Sequence, residues 1–235
     1  MERDAQATLL REGVIEVEGR VAASSNQALL VTVTLEGVSA RACYKAEAGE
    51  RPLWDFPDGL WRREVAAYEL DRALGTDLVP TTVAREDGPF GPGSLQWWVN
   101  DNLVDHYFTL RERPELSSWF ATLAAFDVVA NNADRKGGHV LFDGTRCWAI
   151  DNGLCFHEDD KLRTVIWEYA GDPLDATLRE RLALFASGET GDLGQWLSGR
   201  ELQLARRRAR DLVKRASYPL PDDDAPWPPY PWPLI

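Results

Sequence analysis

Two acidic segments carry residue types and spacing from which chemistry can be built. One is FDVVANNADRKGGHVLF, residues 126–142, with Asp134 near its centre; the other is AIDNGLCF, residues 149–156, with Asp151. Phosphoryl transfer asks little covalent chemistry of a protein but needs charges held in place. One carboxylate orients or deprotonates the acceptor, and another grips a divalent metal that bridges the phosphates. A rigid hairpin between two acidic loops would fix such a pair. Either loop alone says little, because Asp-Asn-Gly is a common turn; the informative feature is the pair at this spacing, after a strand-rich half.

The elements that must position these loops follow from periodicity. Residues 14–21, 28–35 and 38–45 are rich in β-branched side chains, and Glu36-Gly37 between the last two is a hairpin signal. A helix is predicted from Asp58, as N-cap, to Leu74. Two further strands are expected over 80–85 and 94–99, joined by the Gly/Pro-rich turn EDGPFGPG. The second half reads as mainly helical, with helices over 115–130, 174–186 and 199–216 and a short hairpin, 140–142 with 146–150, around Asp143-Gly144. The expected class is α+β: a two-lobed fold with an antiparallel-sheet N-lobe bearing one helix (residues 1–100), a mainly helical C-lobe holding both acidic loops (101–216), and a Pro/Trp-rich tail (217–235). The tail from Tyr218 holds seven of the 14 prolines. Its aromatics favour either an apolar groove on the body or a protein partner that takes a proline-rich ligand.

Bulk composition bounds the function. The 235 residues carry a net charge of −12, which argues against a nucleic-acid binder. The Arg206-Arg207-Arg208 run with Arg210 reads as the solvated face of a helix whose apolar stripe is Leu202, Ala205, Ala209 and Leu212. No apolar run long enough for a membrane span and no apolar signal core is present, so stable membrane insertion is not expected. Three cysteines without metal-type spacing fit reduced thiols in the cytoplasm.

NNADRKGGHVLF followed by WAIDNGLCF resembles the catalytic and metal loops of the phosphatidylinositol 3-/4-kinase-like superfamily. The similarity is to type II phosphatidylinositol 4-kinases, HipA-like and Fam20 kinases, and an actinobacterial phosphatidylinositol-kinase-like group (the SCO-type family). Asp127, Asn132, Asp134, Arg135, Asp151 and Gly153 fall in register with the family pattern, and REVAAYELDRAL…LVPTTV resembles the small-lobe helix and following strand. The resemblance spans residues 20–175. It implies a kinase-like fold and an ATP- and Mg²⁺- or Mn²⁺-dependent phosphotransferase with a lipid, protein or small-molecule acceptor. Asp134 and Arg135 are then catalytic, Lys45 is the strand-three lysine on the phosphates, Glu64 is its helix partner, and Asp151 is a metal ligand.

The loop Ser24-Ser25-Asn26-Gln27 would cover the phosphates, and Lys136 would contact phosphate or substrate. Gln96 to Asn100, with Trp97 and Trp98, would form the hinge beside adenine, with Leu95 and Val99 packing on the base. The Lys45–Glu64 pair has independent support. Lysine is scarce, four against 22 arginines, yet one closes the third strand. Glu64 lies among Leu60, Trp61, Ala67 and Tyr68 on the helix, where a carboxylate wants a partner. Glu69 is the alternative.

The chain departs from the pattern at His139, where the family has Asn or Glu as second metal ligand. Imidazole suits Mn²⁺ better than Mg²⁺. The departure implies a Mn²⁺ or water-mediated role for His139, a metal resting mainly on Asp151, or weak or absent activity. A nucleotide-binding pseudokinase and an AMP transferase are therefore the alternative functions. Lys161, Arg163 and Trp167 occupy the stretch expected to face the acceptor.

Overall fold

The computed structural model describes residues 1–21, 27–102, 104–222, 224 and 227–235. Helix α1 (Arg3–Glu12) precedes strands β1 (Val14–Arg20), β2 (Ala28–Leu35) and β3 (Val38–Ala46), followed by α2 (Leu60–Leu74), β4 (Thr82–Gly88) and β5 (Gly91–Trp97). The five strands form an antiparallel sheet in the order β1-β2-β3-β5-β4. Beyond it lie α3 (Tyr107–Leu110), α4 (Ser117–Ala130), the hairpin β6 (Val140–Phe142) and β7 (Cys147–Ala149), then α5 (Ala176–Ser187) and α6 (Gly199–Arg215). This is the α+β architecture expected, a sheet lobe joined to a helical one.

Alternation along β2, β3 and β5 sorts the sheet into two faces. Val31, Val33, Ala42, Tyr44 and Leu95 pack with Ala7, Leu9 and Leu10 of α1 into a buried core. The sequence reading assigned no helix there, so the sheet lobe has two helices rather than one. The other face carries Cys43, Lys45, Ser94 and Gln96, in register as Cys43↔Gln96 and Lys45↔Ser94. Leu95 is fully buried on the α1 face, which corrects the expectation that it packs on a base.

The bounds of β5 and α2 also differ from the expectation. Strand β5 begins at Gly91, inside the segment read as a turn, because Tyr44 crosses beneath it. A Cβ at Gly93 would lie 2.4 Å from the Lys45 carbonyl oxygen, and Tyr44 donates its hydroxyl to the Gly91 carbonyl. Helix α2 starts at Leu60 after Gly59, which takes a left-handed φ of 85°, and Asp58 does not cap it. The Glu50 carboxylate accepts from the Gly59 N–H (3.0 Å) and the Trp61 N–H (2.6 Å) instead. A cap from a distant residue leaves no local signal.

In the helical lobe, Phe120, Leu123, Phe126 and Val129 of α4 share one core with Ala205, Ala209 and Leu212 of α6 and with Ala66, Ala67 and Leu70 of α2. The arginine run divides. Arg207 and Arg210 are exposed as expected, but Arg208 is largely buried, donates to the His157 carbonyl (2.9 Å) and pairs with Asp160. Among the described residues no helix is long and apolar enough to cross a membrane.

Helix α2 is locked at its far end by Asp71, fully buried, which accepts from Thr76 Oγ1 (2.7 Å) and the N–H groups of Leu78 (2.8 Å) and Val79 (3.1 Å), with Arg3 of α1 at 3.3 Å. Removing that carboxylate leaves two buried amides and the Thr76 hydroxyl without their acceptor. Asp71→Ala is expected to lower unfolding free energy by about 3 kcal/mol in urea titration.

Candidate active site

The cleft face of the sheet meets the helical lobe at Lys45. Its ammonium donates to Glu64 Oε1 and, at 2.7 Å, to Asp151 Oδ1. The other Glu64 oxygen accepts from the Asn152 N–H (2.9 Å). Strand β3, helix α2 and the loop after β7 are thereby tied at one point, with Glu64 rather than Glu69 meeting the lysine. Burial acts to lower the Lys45 pKa, but the Asp151 and Glu64 carboxylates outweigh it and hold the ammonium well above its usual range. Lys45 in turn holds the Asp151 carboxyl far below the usual range, against burial, with help from His139 and Lys136. Asp151 has a φ of 57°, a costly conformation for a non-glycine residue, and its neighbours' bonds hold it there.

Asp134 lines the same small cavity, of about 60 Å³, as Lys45, Glu64 and Asp151. Its N–H donates to Asn132 Oδ1 (3.0 Å), and its Oδ2 lies 2.9 Å from Lys136 Nζ. Burial pushes its pKa up, opposed by Lys136, while the Asp151 charge adds to the rise. The two acidic loops thus converge, one carboxylate strongly ionised and the other biased toward holding a proton.

Arg135 does not face this cavity. Its side chain is fully buried and donates to both Asp127 oxygens, the Ile150 carbonyl (2.8 Å) and Asn152 Oδ1 (2.6 Å). Asn132 Nδ2 also donates to Asp127 (3.0 Å). Arg135 therefore joins the loops from beneath, a positioning geometry rather than contact with reacting groups.

His139 sits 3.3 Å (Nε2) from Asp151 Oδ2, and its Nδ1 accepts from the Lys136 N–H (3.4 Å). Burial, with Arg135, Lys136 and Lys45, lowers its pKa to about 4 despite Asp151, so the ring is neutral at pH 7. With Nδ1 accepting, the proton of the neutral ring lies on Nε2, 3.3 Å from the Asp151 carboxylate. In this arrangement His139 presents no lone pair to a cation. Among the described residues no three acidic, His or Cys side chains converge as a metal cage. Asp151 offers carboxylate oxygens, the donor type that a hard divalent ion takes.

A larger cavity, about 370 Å³, opens beside Lys45 and Asp151 and is lined by Ala28, Cys43, Gln96, Trp97, Trp98 and Val99, among others. The Gln96 amide is engaged by Thr82 Oγ1 (2.9 Å). The N–H groups of Trp97 and Trp98 donate to Thr81 and Arg41 carbonyls, so neither is available to a purine. Ser24, Ser25 and Asn26 lie outside the described residues.

Of the two destinations the sequence leaves open for the tail, the body or a protein partner, the structure shows it against the body. Its Pro229 carbonyl accepts from the Thr164 N–H (3.0 Å) and the Trp167 indole (3.1 Å), and its Leu234 carbonyl accepts from the Gly137 N–H (2.7 Å). Ile235 lines the larger cavity. Trp227 meets Trp54 with ring centroids 5.8 Å apart.

The fold is kinase-like. Two solved structures share the fold. One is the Helicobacter pylori proinflammatory kinase CtkA, with a TM-score of 0.53, 10% identity, and coverage of 88% of this chain and 97% of that one. The other is hydra Fam20 with sugar, with a TM-score of 0.53, 13% identity, and coverage of 88% and 87%. No protein-family model matches the chain. The chain belongs to the family of protein Rv2133c of Mycobacterium tuberculosis, with which it is 39% identical over 273 aligned positions covering 99% of this chain and 96% of that protein.

Asp127 and Asp134 should separate in stability measurements. Asp127→Ala leaves buried Arg135 unpaired and is expected to cost about 3–5 kcal/mol by denaturant unfolding. Asp134→Ala removes a like charge from the cleft and should change stability by less than about 1 kcal/mol.

Proposed function

We propose that the protein is an ATP- and divalent-metal-dependent phosphotransferase of the phosphatidylinositol 3-/4-kinase-like type, within the actinobacterial group whose loop motifs it resembles. The observation that carries this reading is the meeting of Lys45 with Glu64 and Asp151 in a cavity that Asp134 shares. The larger cavity beside it suits a nucleoside, so that the triphosphate points at Lys45 and Asp151.

Each residue then has a physical task. Lys45, fixed as an ammonium by two carboxylates, balances phosphate charge at a defined point. Asp151, ionised and turned into the cleft, is the ligand for the metal, and a bound metal supplies neutralisation of the charge that develops on the phosphates. Asp134 accepts the proton of the acceptor hydroxyl as that oxygen bonds to the γ-phosphorus. The bond from phosphorus to the bridging oxygen breaks, and its electron pair leaves on ADP. A carboxylate whose pKa is raised by burial is the better base for this transfer. Lys136, 2.9 Å from Asp134, opposes the rise that burial imposes on that carboxylate and stands beside the transferred group.

The placement of His139, neutral and with Nδ1 taken by the Lys136 N–H, favours a second reading, nucleotide binding without transfer. The two readings differ in turnover. With γ-labelled ATP and Mg²⁺ or Mn²⁺, the kinase reading expects label released or transferred. Asp134→Ala and Asp151→Ala should each lower the rate at least about 100-fold. Nucleotide-dependent thermal stabilisation with no turnover would favour the binding module, and transfer of α-label in place of γ-label would mark an AMP transferase.

A further inference from the structure

Resting on the phosphotransferase reading, we propose that Gln96 selects the nucleobase. Its side-chain oxygen accepts a hydrogen bond from an exocyclic amino group, so the cleft takes a 6-aminopurine nucleotide in preference to a 6-oxopurine one. The base lies in the cavity of about 370 Å³, whose lining includes Gln96 with Ala28, Val99, Leu141 and Ile150. Apolar walls of that kind accept the faces of any purine, so discrimination among purines falls to a polar group at the base's edge. Gln96 stands opposite Cys43 on the cleft face, two residues along the sheet from the Lys45–Ser94 pair. That separation is about 7 Å at the usual strand rise. A nucleotide with its phosphates at Lys45 therefore has its base beside the Gln96 row.

A side-chain amide has donors at one end and an acceptor at the other, and the hydrogen-bond network decides which end meets a ligand. Here two buried bonds decide it. Thr82 is buried and donates its hydroxyl to the Pro80 carbonyl (2.8 Å). A hydroxyl has one proton, so toward Gln96 the Thr82 oxygen can only accept, and it takes the Nε2–H at 2.9 Å. Turning the amide over would set its oxygen against Thr82 Oγ1 and leave two buried acceptors facing one another. Gln96 Oε1 is therefore the end left for the cavity. Among the described residues nothing donates to it, and it is not one of the partnerless side-chain atoms sealed from solvent.

The chemistry of the base follows. A 6-amino group meets Oε1 with a donor. A 6-oxo group brings a second acceptor, and the amide cannot turn to serve it while Thr82 holds the other end. The adjacent main-chain N–H groups of Trp97 and Trp98 offer no substitute, because they are spent on the Thr81 and Arg41 carbonyls. A base with only hydrogen at that position leaves Oε1 desolvated and unpaired. Sites built around one such bond reject analogues that lack the matching group, since the protein's own polar atom then goes unsatisfied. Thr82 is a positioning residue in this scheme, acting on the base through Gln96.

The test measures dissociation constants of the full chain, with Mg²⁺ present, for ATP, ITP and purine riboside 5′-triphosphate. The last two replace the 6-amino group with oxygen and with hydrogen. ATP is expected to bind at least about tenfold more tightly than either. Gln96→Met keeps the side-chain volume and removes the acceptor, and should bring ATP and purine riboside 5′-triphosphate within about threefold of one another. Thr82→Val removes the hydroxyl that fixes the amide, so ITP should gain on ATP by about threefold or more, while Thr82→Ser keeps the original ratio. Each ratio is taken within one protein, so a general loss of stability in a variant does not move it. Equal binding of the three nucleotides by the original chain would overturn the assignment, as would an undiminished preference for ATP in Gln96→Met. A Thr82→Val ratio equal to the original would overturn the role of Thr82. In each of these cases nucleotide binding stands, and the phosphotransferase reading with it. No binding of any of the three removes both.

Discussion

The cleft depends on one buried residue, Asn152, which is bonded from both sides. Its N–H donates to Glu64 of α2, and its side-chain oxygen accepts from Arg135, itself clamped on Asp127 at the end of α4. The sheet lobe reaches the same point through Lys45, which meets Glu64 and the neighbouring Asp151. A displacement of any member leaves a charge without its partner in a poorly hydrated place, so the arrangement is held together more firmly than its few bonds suggest. The left-handed backbone at Asp151 is tolerated because Asn152 cannot move.

That framework separates two kinds of carboxylate that look alike in sequence. Asp127 is sealed away with a guanidinium and an amide and works as scaffold. Asp134 and Asp151 line open space and differ in electrostatics, since Lys45 stabilises the charge on one while burial disfavours it on the other. Two carboxylates pushed in opposite directions within one cavity can divide metal binding from proton transfer. His139 adds to the asymmetry, because its ring lies against Asp151 and helps to hold that carboxyl low.

Much of this was legible because local rules and tertiary structure agree. The β2–β3 hairpin follows from alternation and Glu36-Gly37, and β2 has the bounds its pattern predicts. The Lys45–Glu64 pair was readable as a scarce lysine closing a strand and a carboxylate on an apolar helix face. Other features are carried by long-range contact, which sequence spacing does not encode. The α2 cap comes from Glu50 rather than Asp58, β5 extends through glycines because Tyr44 lies against them, and Arg135 turns away from the cleft toward Asp127. Leu95 was misassigned through strand parity, since one step along β5 changes the face a side chain occupies. The tail's destination at Gly137 and Thr164 rests on main-chain bonds, which no residue type announces.

The central claim is that Lys45, Asp134 and Asp151 converge on the phosphates of a nucleotide. It is tested most directly by a crystal structure with a non-hydrolysable ATP analogue and Mn²⁺. The account expects the nucleoside in the cavity beside Trp98 and Val99, the metal on Asp151, a phosphate oxygen at Lys45, and the γ-phosphate facing Asp134. A nucleotide bound away from Lys45, or a metal on residues other than Asp151, would contradict it.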